Sequence, residues 1–168
     1  MTRNHVSKQH QRGFTLIEMF TVLAVMAILA MIALPSYLER NIRQQIEAAM
    51  PLADIAKKPV EAAWAAQLPF PVDNTAAGLP AADKIVSNFV SAIAIQDGAI
   101  HITVGNQAIG AIKGKILTVR PAVVADAPVV PVTWVCGNAS PPDKMSVKGE
   151  NRTTVDANYL SLACRGRK

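Results

Sequence analysis

The longest uninterrupted apolar segment of the chain lies near its N-terminus, at residues 14–34. It holds 21 residues and a single charge, that of Glu18. If this segment is a helix, apolar side chains lie on all of its sides, whereas a surface helix of a globular domain keeps a polar stripe. Such a helix is about 31 Å long, close to the thickness of the hydrocarbon core of a bilayer. The segment is therefore predicted to be a transmembrane helix.

The polar segment before this helix, residues 1–13, contains Arg3, Lys8 and Arg12 and no acidic residue. Basic residues on one flank of a membrane helix keep that flank in the cytoplasm. A secretory signal peptide has a shorter apolar region that is followed by small residues, a pattern missing after residue 34. A signal peptide and a plain signal anchor are the alternatives, but neither explains an acidic residue at the start of the apolar span.

Beyond Pro35 the apolar positions recur in steps of three and four, as on one face of a helix. That face consists of Leu38, Ile42, Ile46, Ala49, Ala53, Ala56, Val60 and Ala63. The pattern predicts that the helix continues to residue 66 and lays one face on a globular domain. Pro35, Pro51 and Pro59 each remove one backbone hydrogen bond, so we expect kinks or loosened turns there.

The rest of the chain has strand periodicity. Breaker residues throughout 68–82 indicate a loop. Alternation then predicts four strands, at 85–95, 99–104, 112–120 and 129–136, with Gln96-Asp97-Gly98 as the turn between the first two. His101 falls on the polar side of its strand and is expected to face solvent. The predicted fold class is α+β: a long N-terminal helix, its apolar half protruding or transmembrane, packed on a four-stranded antiparallel sheet.

Composition and charge narrow the function. With 51% hydrophobic and 17% charged residues, the 168-residue chain is not intrinsically disordered. The net charge is +5, but residues 14–168 keep 14 basic and 12 acidic residues, a net charge of +2. The basic excess is therefore mainly an orientation signal at the membrane and not evidence for an acidic partner.

The residue types needed for catalysis or metal binding are scarce. Of the three histidines, His5 and His10 precede the apolar span, which leaves His101 alone. One histidine cannot build a triad or a histidine metal cluster, and no Gly-rich phosphate loop is present. We therefore predict no catalytic residue, no metal site and no cofactor. The loop acids Asp126 and Asp143 are expected to be solvated charges, as is Asp156.

The junction between the basic segment and the apolar span reads Arg12-Gly13-Phe14-Thr15-Leu16-Ile17-Glu18. It resembles the processing site of type IV prepilins. The resemblance implies that a prepilin peptidase cuts between Gly13 and Phe14 and methylates the new N-terminus of Phe14. It also implies that Glu18 pairs with the Phe14 ammonium of a neighbouring subunit during assembly, and that Pro35 is the family's helix-kinking proline. The alternative for Glu18 is an acid that snorkels to the membrane interface.

The two cysteines extend the resemblance to the C-terminus. Thr133-Trp134-Val135-Cys136-Gly137 and the residues around Cys164 look like the disulfide-bounded loop of class a major pilins. The resemblance implies a bond between Cys136 and Cys164. In the chain-entropy model, such a bond contributes about 3–4 kcal/mol to stability. Two buried free thiols are the alternative.

The resemblance also divides the chain into three regions. These are a cleaved leader at 1–13, a long helix at 14–66 whose residues 14–34 form the transmembrane segment and filament core, and a head at 67–168 with a disulfide loop at 136–164. It implies a structural subunit that polymerises into a surface filament for adhesion, twitching motility and DNA uptake. The precursor would span the bacterial inner membrane once, with a cytoplasmic N-terminus, and the pilus would be extracellular. Its partners would be copies of itself, the prepilin peptidase and the inner-membrane platform and assembly machinery.

Two alternatives stay open. One is a minor pilin or a type II secretion pseudopilin, although pseudopilins usually lack the C-terminal disulfide. The other is a pilin that binds DNA or a host surface through basic residues near the disulfide loop, namely Lys144, Lys148, Arg152, Arg165, Arg167 and Lys168. A solvated rim is the competing interpretation of these residues, because acidic residues lie between them.

Overall fold

The computed structural model describes residues 13–166, apart from the side chains of Leu34 and Pro35. The chain divides into two compact units, of which the first ends at Tyr37 and the second begins at Leu38. Most of the leader predicted at 1–13 lies outside the described residues, as do Arg167 and Lys168.

The helical part of the chain has one interruption. Helix α1 (Leu16–Ala49) is followed by a 3₁₀ turn (Met50–Ala53) and by α2 (Asp54–Ala65). Pro51 lies at the start of the 3₁₀ turn, where its missing N–H costs little. Pro59 lies inside α2 without ending it. The predicted loosening therefore occurs at Pro51, and the α-helix continues through Pro59.

The second unit is built on an antiparallel sheet of five strands. These are β1 (Val90–Gln96), β2 (Ala99–Val104), β3 (Ile116–Val123), β4 (Thr133–Cys136) and the short β5 (Ser146–Val147). The order is β1-β2-β3-β4, and β5 pairs with β3. The turn between β1 and β2 is at Asp97-Gly98, where both residues have positive φ, as a tight hairpin turn requires. The long helix, the antiparallel sheet and this hairpin confirm the predicted fold class. Two short helical segments, a 3₁₀ turn (Ala157–Tyr159) and α3 (Leu162–Arg165), follow the sheet.

Three predicted strands begin later than the sequence indicated. β1 begins at Val90, β3 at Ile116 and β4 at Thr133. Ile85 and Ile112 lie outside the strands, in turns, but both are buried in the core. Because buried apolar residues in turns resemble strand residues in the sequence, the predicted strands were too long at their starts. The two-residue strand β5 was not predicted, because a segment that short has no periodicity.

One face of the sheet packs against the second half of α1 and against α2. The helices contribute Ile42, Ile46, Ala49, Ala53, Ala56 and Val60, all of which are buried. This confirms most of the predicted apolar face, although Leu38 is 53% exposed. Alanine at three of these positions lets the helix backbone approach the sheet closely. Full burial of each larger side chain contributes about 1.5–3 kcal/mol.

His101 does not face solvent, and that prediction is wrong. It is 5% exposed, and its Nδ1 lies 3.0 Å from the hydroxyl oxygen of Thr118 on β3. The second face of the sheet is covered by a segment of the C-terminal region, whose Arg152 N–H donates to the same hydroxyl oxygen. Burial lowers the pKa of His101, and the positive charge of Arg152 lowers it further against the weaker opposing effect of Glu150. Strand alternation could not reveal a cover that comes from a remote segment.

Candidate processing and assembly site

The predicted cleavage site is open in the first unit. Gly13, Phe14 and Thr15 precede the helix, and the Phe14 side chain is 80% exposed. Beyond Gly13 and its chain neighbours, no atom of the described residues lies within 4 Å of the position that a Cβ on Gly13 would occupy. Within the described residues, the backbone at Gly13 is therefore open to close approach by another molecule.

Thr15 and Glu18 close the first turn of α1. The Thr15 N–H donates to Glu18 Oε2 at 2.8 Å, and the Thr15 hydroxyl donates to the same oxygen at 2.7 Å. The Glu18 N–H lies 3.4 Å from the Thr15 hydroxyl oxygen. This arrangement is a capping box, in which the residue before a helix and the third residue inside it satisfy each other's polar groups. The sequence contains the Thr-x-x-Glu signature of this capping box, a role for Glu18 in addition to the predicted pairing between subunits and the snorkelling alternative.

The apolar part of α1 is exposed on all sides. It is long and apolar enough to cross a membrane, and none of its most apolar 18 residues is buried. Leu16, Ile17, Phe20, Leu23 and Ile28 are each more than half exposed. The hydroxyl of Thr21 donates to the carbonyl oxygen of Glu18 at 2.8 Å, so the helix itself satisfies this polar group. Surface of this kind has to be covered by lipid or by other helices.

Pro35 lies within α1, and its side chain is outside the described ones. The backbone through this position is helical. Its role in assembly therefore stays a prediction.

Cys136 and Cys164 form a disulfide that joins the end of β4 to α3, as the resemblance implied. The next residue, Gly137, has a φ of +55°, and a Cβ there would lie 2.6 Å from the carbonyl oxygen of Cys164. Only glycine fits this position without strain. The Asn138 N–H donates to the same carbonyl oxygen at 2.9 Å, so backbone contacts reinforce the covalent link.

Two arginines hold the segment before α3, a contact that the sequence did not indicate. Arg43 Nε on α1 and Arg165 on α3 both donate to the carbonyl oxygen of Asn158, each at 3.2 Å. Arg165 also donates to the carbonyl oxygen of Leu160 at 3.1 Å. The disulfide region is thereby tied to the helix, and Arg165 is a structural residue.

The described basic residues near the disulfide loop differ in their contacts. Arg165 bonds to backbone carbonyls, and Arg152 pairs with Glu150 at 2.8 Å. Lys144 and Lys148 are exposed. Of the six basic residues in the DNA-binding alternative, Arg167 and Lys168 lie outside the described residues, and two more already have intramolecular partners. DNA binding through these residues therefore stays a prediction.

The loop acids and the possible metal ligands are also placed. Asp126, Asp143 and Asp156 are exposed, as expected, and Asp156 accepts a bond from the Asn158 N–H at 2.9 Å. Between residues 13 and 166, no three histidine, cysteine, aspartate or glutamate residues lie together in a way that could hold a metal ion.

Comparisons with known proteins agree with this arrangement. Residues 43–165 match the family model described as pilin (bacterial filament), and residues 8–34 match the prokaryotic N-terminal methylation motif. The chain is 30% identical over 161 residues to the type IV major pilin protein PilE of Neisseria gonorrhoeae, covering 92% of this chain and 94% of that one. It is 32% identical over 161 residues to the fimbrial protein EcpC of Eikenella corrodens, covering 94% and 93%. It is 29% identical over 164 residues to a fimbrial protein of Neisseria meningitidis serogroup B, covering 92% and 94%.

Proposed function

Because this chain belongs to the pilin family and is a structural subunit of a type IV pilus, we propose that it is the major subunit of its filament. Relatives named as major pilins match it over nearly its whole length, head included. The disulfide between Cys136 and Cys164 also favours this proposal over a pseudopilin. The family is one of structural proteins, so the work of assembly comes from separate ATPases and a membrane platform, and we assign this chain no catalytic role.

The chain carries the N-terminal methylation motif, which implies processing by a prepilin peptidase. We place the cut between Gly13 and Phe14, so that 1–13 is the leader and Phe14 is the methylated N-terminus. The exposure of Phe14 and the open space around Gly13 support this position. Cleavage there leaves the entire apolar helix attached to the head.

Assembly then moves this helix from lipid into a bundle of identical helices. The apolar side chains of α1, exposed on every side of the helix, are the single observation that carries this proposal. In our proposal residues 14–34 form the filament core, 14–66 the long helix and 67–168 the head. Glu18 pairs with the Phe14 ammonium of a neighbour, and Pro35 loosens the helix where subunits pack.

A membrane-anchored precursor and an extracellular pilus fit a type IV pilin with an apolar N-terminal helix. We propose more specifically that the precursor crosses the bacterial inner membrane once, with residues 1–13 in the cytoplasm. The assembled filament serves adhesion and twitching motility, and in competent cells DNA uptake.

The test is to shear surface material from producing cells, sequence its N-terminus and examine it by electron microscopy. We expect filaments whose subunits begin at Phe14, and abundance in this fraction separates a major from a minor subunit. Glu18→Ala should still be cleaved after Gly13 but should form no filaments. Glu47→Ala, which removes an exposed acid on the same helix, is the matched control and should assemble normally. Normal filaments from Glu18→Ala would remove the pairing role.

A further inference from the structure

The two carboxylate oxygens of Glu18 are not equivalent. Oε2 accepts both hydrogen bonds from Thr15, at 2.8 and 2.7 Å. Oε1 accepts no hydrogen bond from any residue between 13 and 166. The Thr21 hydroxyl, one turn further on, donates to the Glu18 backbone carbonyl and does not compete for the carboxylate. Within the described residues, Thr15 is therefore the residue that orients this side chain.

We propose that Thr15 is a positioning residue for filament assembly, which holds Oε2 so that Oε1 is presented to the Phe14 ammonium of the neighbouring subunit. This inference rests on the proposed pairing of Glu18 with that ammonium. It adds that the two carboxylate oxygens have different roles: Oε2 is bound within the chain, and Oε1 binds the neighbouring chain.

Two physical reasons support this role. A free glutamate side chain loses considerable rotamer freedom when it forms a fixed contact, and fixing it beforehand removes that cost from the assembly step. A carboxylate in apolar surroundings also needs hydrogen-bond donors, because burying it unpaired is expensive. Thr15 supplies two donors before any neighbour is present, so it stabilises the ionised form that the ammonium requires.

The position of Thr15 makes the capping box independent of processing. The scissile bond joins Gly13 to Phe14, whereas the N–H of Thr15 belongs to the next peptide bond. Cleavage therefore creates the Phe14 ammonium without removing either donor of Thr15. The same first turn then carries an oriented acceptor and, one residue before the cap, the new cation that a neighbour's acceptor can bind.

The experiment compares Thr15→Val with Thr15→Ser in cells that produce the full chain. Valine has the shape of threonine without the hydroxyl, and serine keeps the hydroxyl without the methyl group. Cleavage after Gly13 is measured by mass spectrometry of membrane pilin, and assembly by the fraction of pilin in sheared filaments. We expect Thr15→Val to be cleaved normally and to assemble about tenfold less. A tenfold change corresponds roughly to the loss of one hydrogen bond to a charged group. Thr15→Ser should assemble within about twofold of the wild type.

Thr21→Val is the matched control, because it removes a hydroxyl from the same helix that bonds only to the backbone. It should assemble like the wild type. Wild-type filament levels from Thr15→Val would overturn the proposal, as would equal deficiency in Thr15→Val and Thr15→Ser. An uncleaved Thr15→Val would assign Thr15 to peptidase recognition and overturn it as well. Failure of the proposed function looks different, because the wild-type chain would then form no filaments or Glu18→Ala would form normal ones.

Discussion

The side chain of Asn74 acts as a strand partner for Ile95 at the outer edge of the sheet. Its Oδ1 accepts from the Ile95 N–H at 2.6 Å, and its Nδ2 donates to the carbonyl oxygen of Ile93 at 2.9 Å. Asn74 is 8% exposed, so water cannot replace it. An open strand edge invites pairing with other chains, and this loop residue closes the edge at the centre of β1.

Asn74→Ala should therefore destabilise the head by about 2–3 kcal/mol, because it leaves a buried N–H and a buried carbonyl of β1 unsatisfied. Urea unfolding of the detergent-solubilised chain, followed by tryptophan fluorescence, measures this loss. Thr75→Ala changes the exposed neighbouring residue and should have little effect. Equal stability of the two variants would show that the edge does not depend on Asn74.

His101 should make the head less stable in acid. Its pKa is lowered in the folded state, so the unfolded chain binds a proton more readily once the pH falls below about 6.5, its ordinary pKa. The contribution of His101 to stability is full above that pH and declines as the pH falls toward the lower folded-state pKa. We expect the wild type to lose more stability than His101→Asn between pH 7 and pH 5. Parallel pH profiles of the two proteins would contradict this assignment.

The disulfide should contribute about 3–4 kcal/mol, the loop-closure value for a sequence separation of 28 residues. Replacement of both Cys136 and Cys164 by serine removes the link without leaving a free thiol. Urea midpoints of this variant and of the wild type, each with and without reductant, measure the contribution. Only the wild type should respond to the reductant.

Trp134 on β4 contacts two residues of α2 and so links this helix to the sheet. Its indole N–H donates to Glu61 Oε1 at 2.7 Å, and the Lys57 ammonium lies 5.9 Å from the centre of its ring. Trp134→Phe keeps the ring stacked below Lys57 but loses the hydrogen bond, so we expect a loss of about 1–2 kcal/mol. Glu61→Gln keeps an acceptor and should cost less than Glu61→Ala. Thermal unfolding measures the stability of all three variants. A smaller loss for Glu61→Gln than for Glu61→Ala would support this account, whereas an unchanged stability of Glu61→Ala would refute it.

The local features of the fold could be predicted from the sequence. The apolar span, the helical face from Ile42 to Val60 and the Asp97-Gly98 hairpin each follow from neighbouring residues. The motif around Gly13 likewise needs only a few consecutive positions. These features depend on the geometry of residues that are close in sequence, and the spacing of apolar and polar residues reflects that geometry.

Contacts between remote segments could not be predicted in this way. Asn74 lies in a segment correctly predicted as a loop, but nothing in that loop indicates that it caps β1. The prediction that His101 faces solvent is wrong because the segment that covers it, which includes Arg152, lies 51 positions further along the sequence. The bond between Thr15 and Glu18 is local, and the Thr-x-x-Glu spacing is the sequence signal that predicts it.

The cover over β3 has a consequence for the order of events during export. The Thr118 N–H donates to the hydroxyl of Thr153, and the Ile116 N–H to that of Thr154. In the proposed topology residues 1–13 stay in the cytoplasm and the head crosses the membrane, yet β3 is completed by residues 35 to 38 positions further along the chain. The head therefore cannot close over His101 while its C-terminal segment is still in the translocation channel. In the proposed topology, a chain truncated before Thr153 would leave an anchored subunit whose sheet lacks this cover.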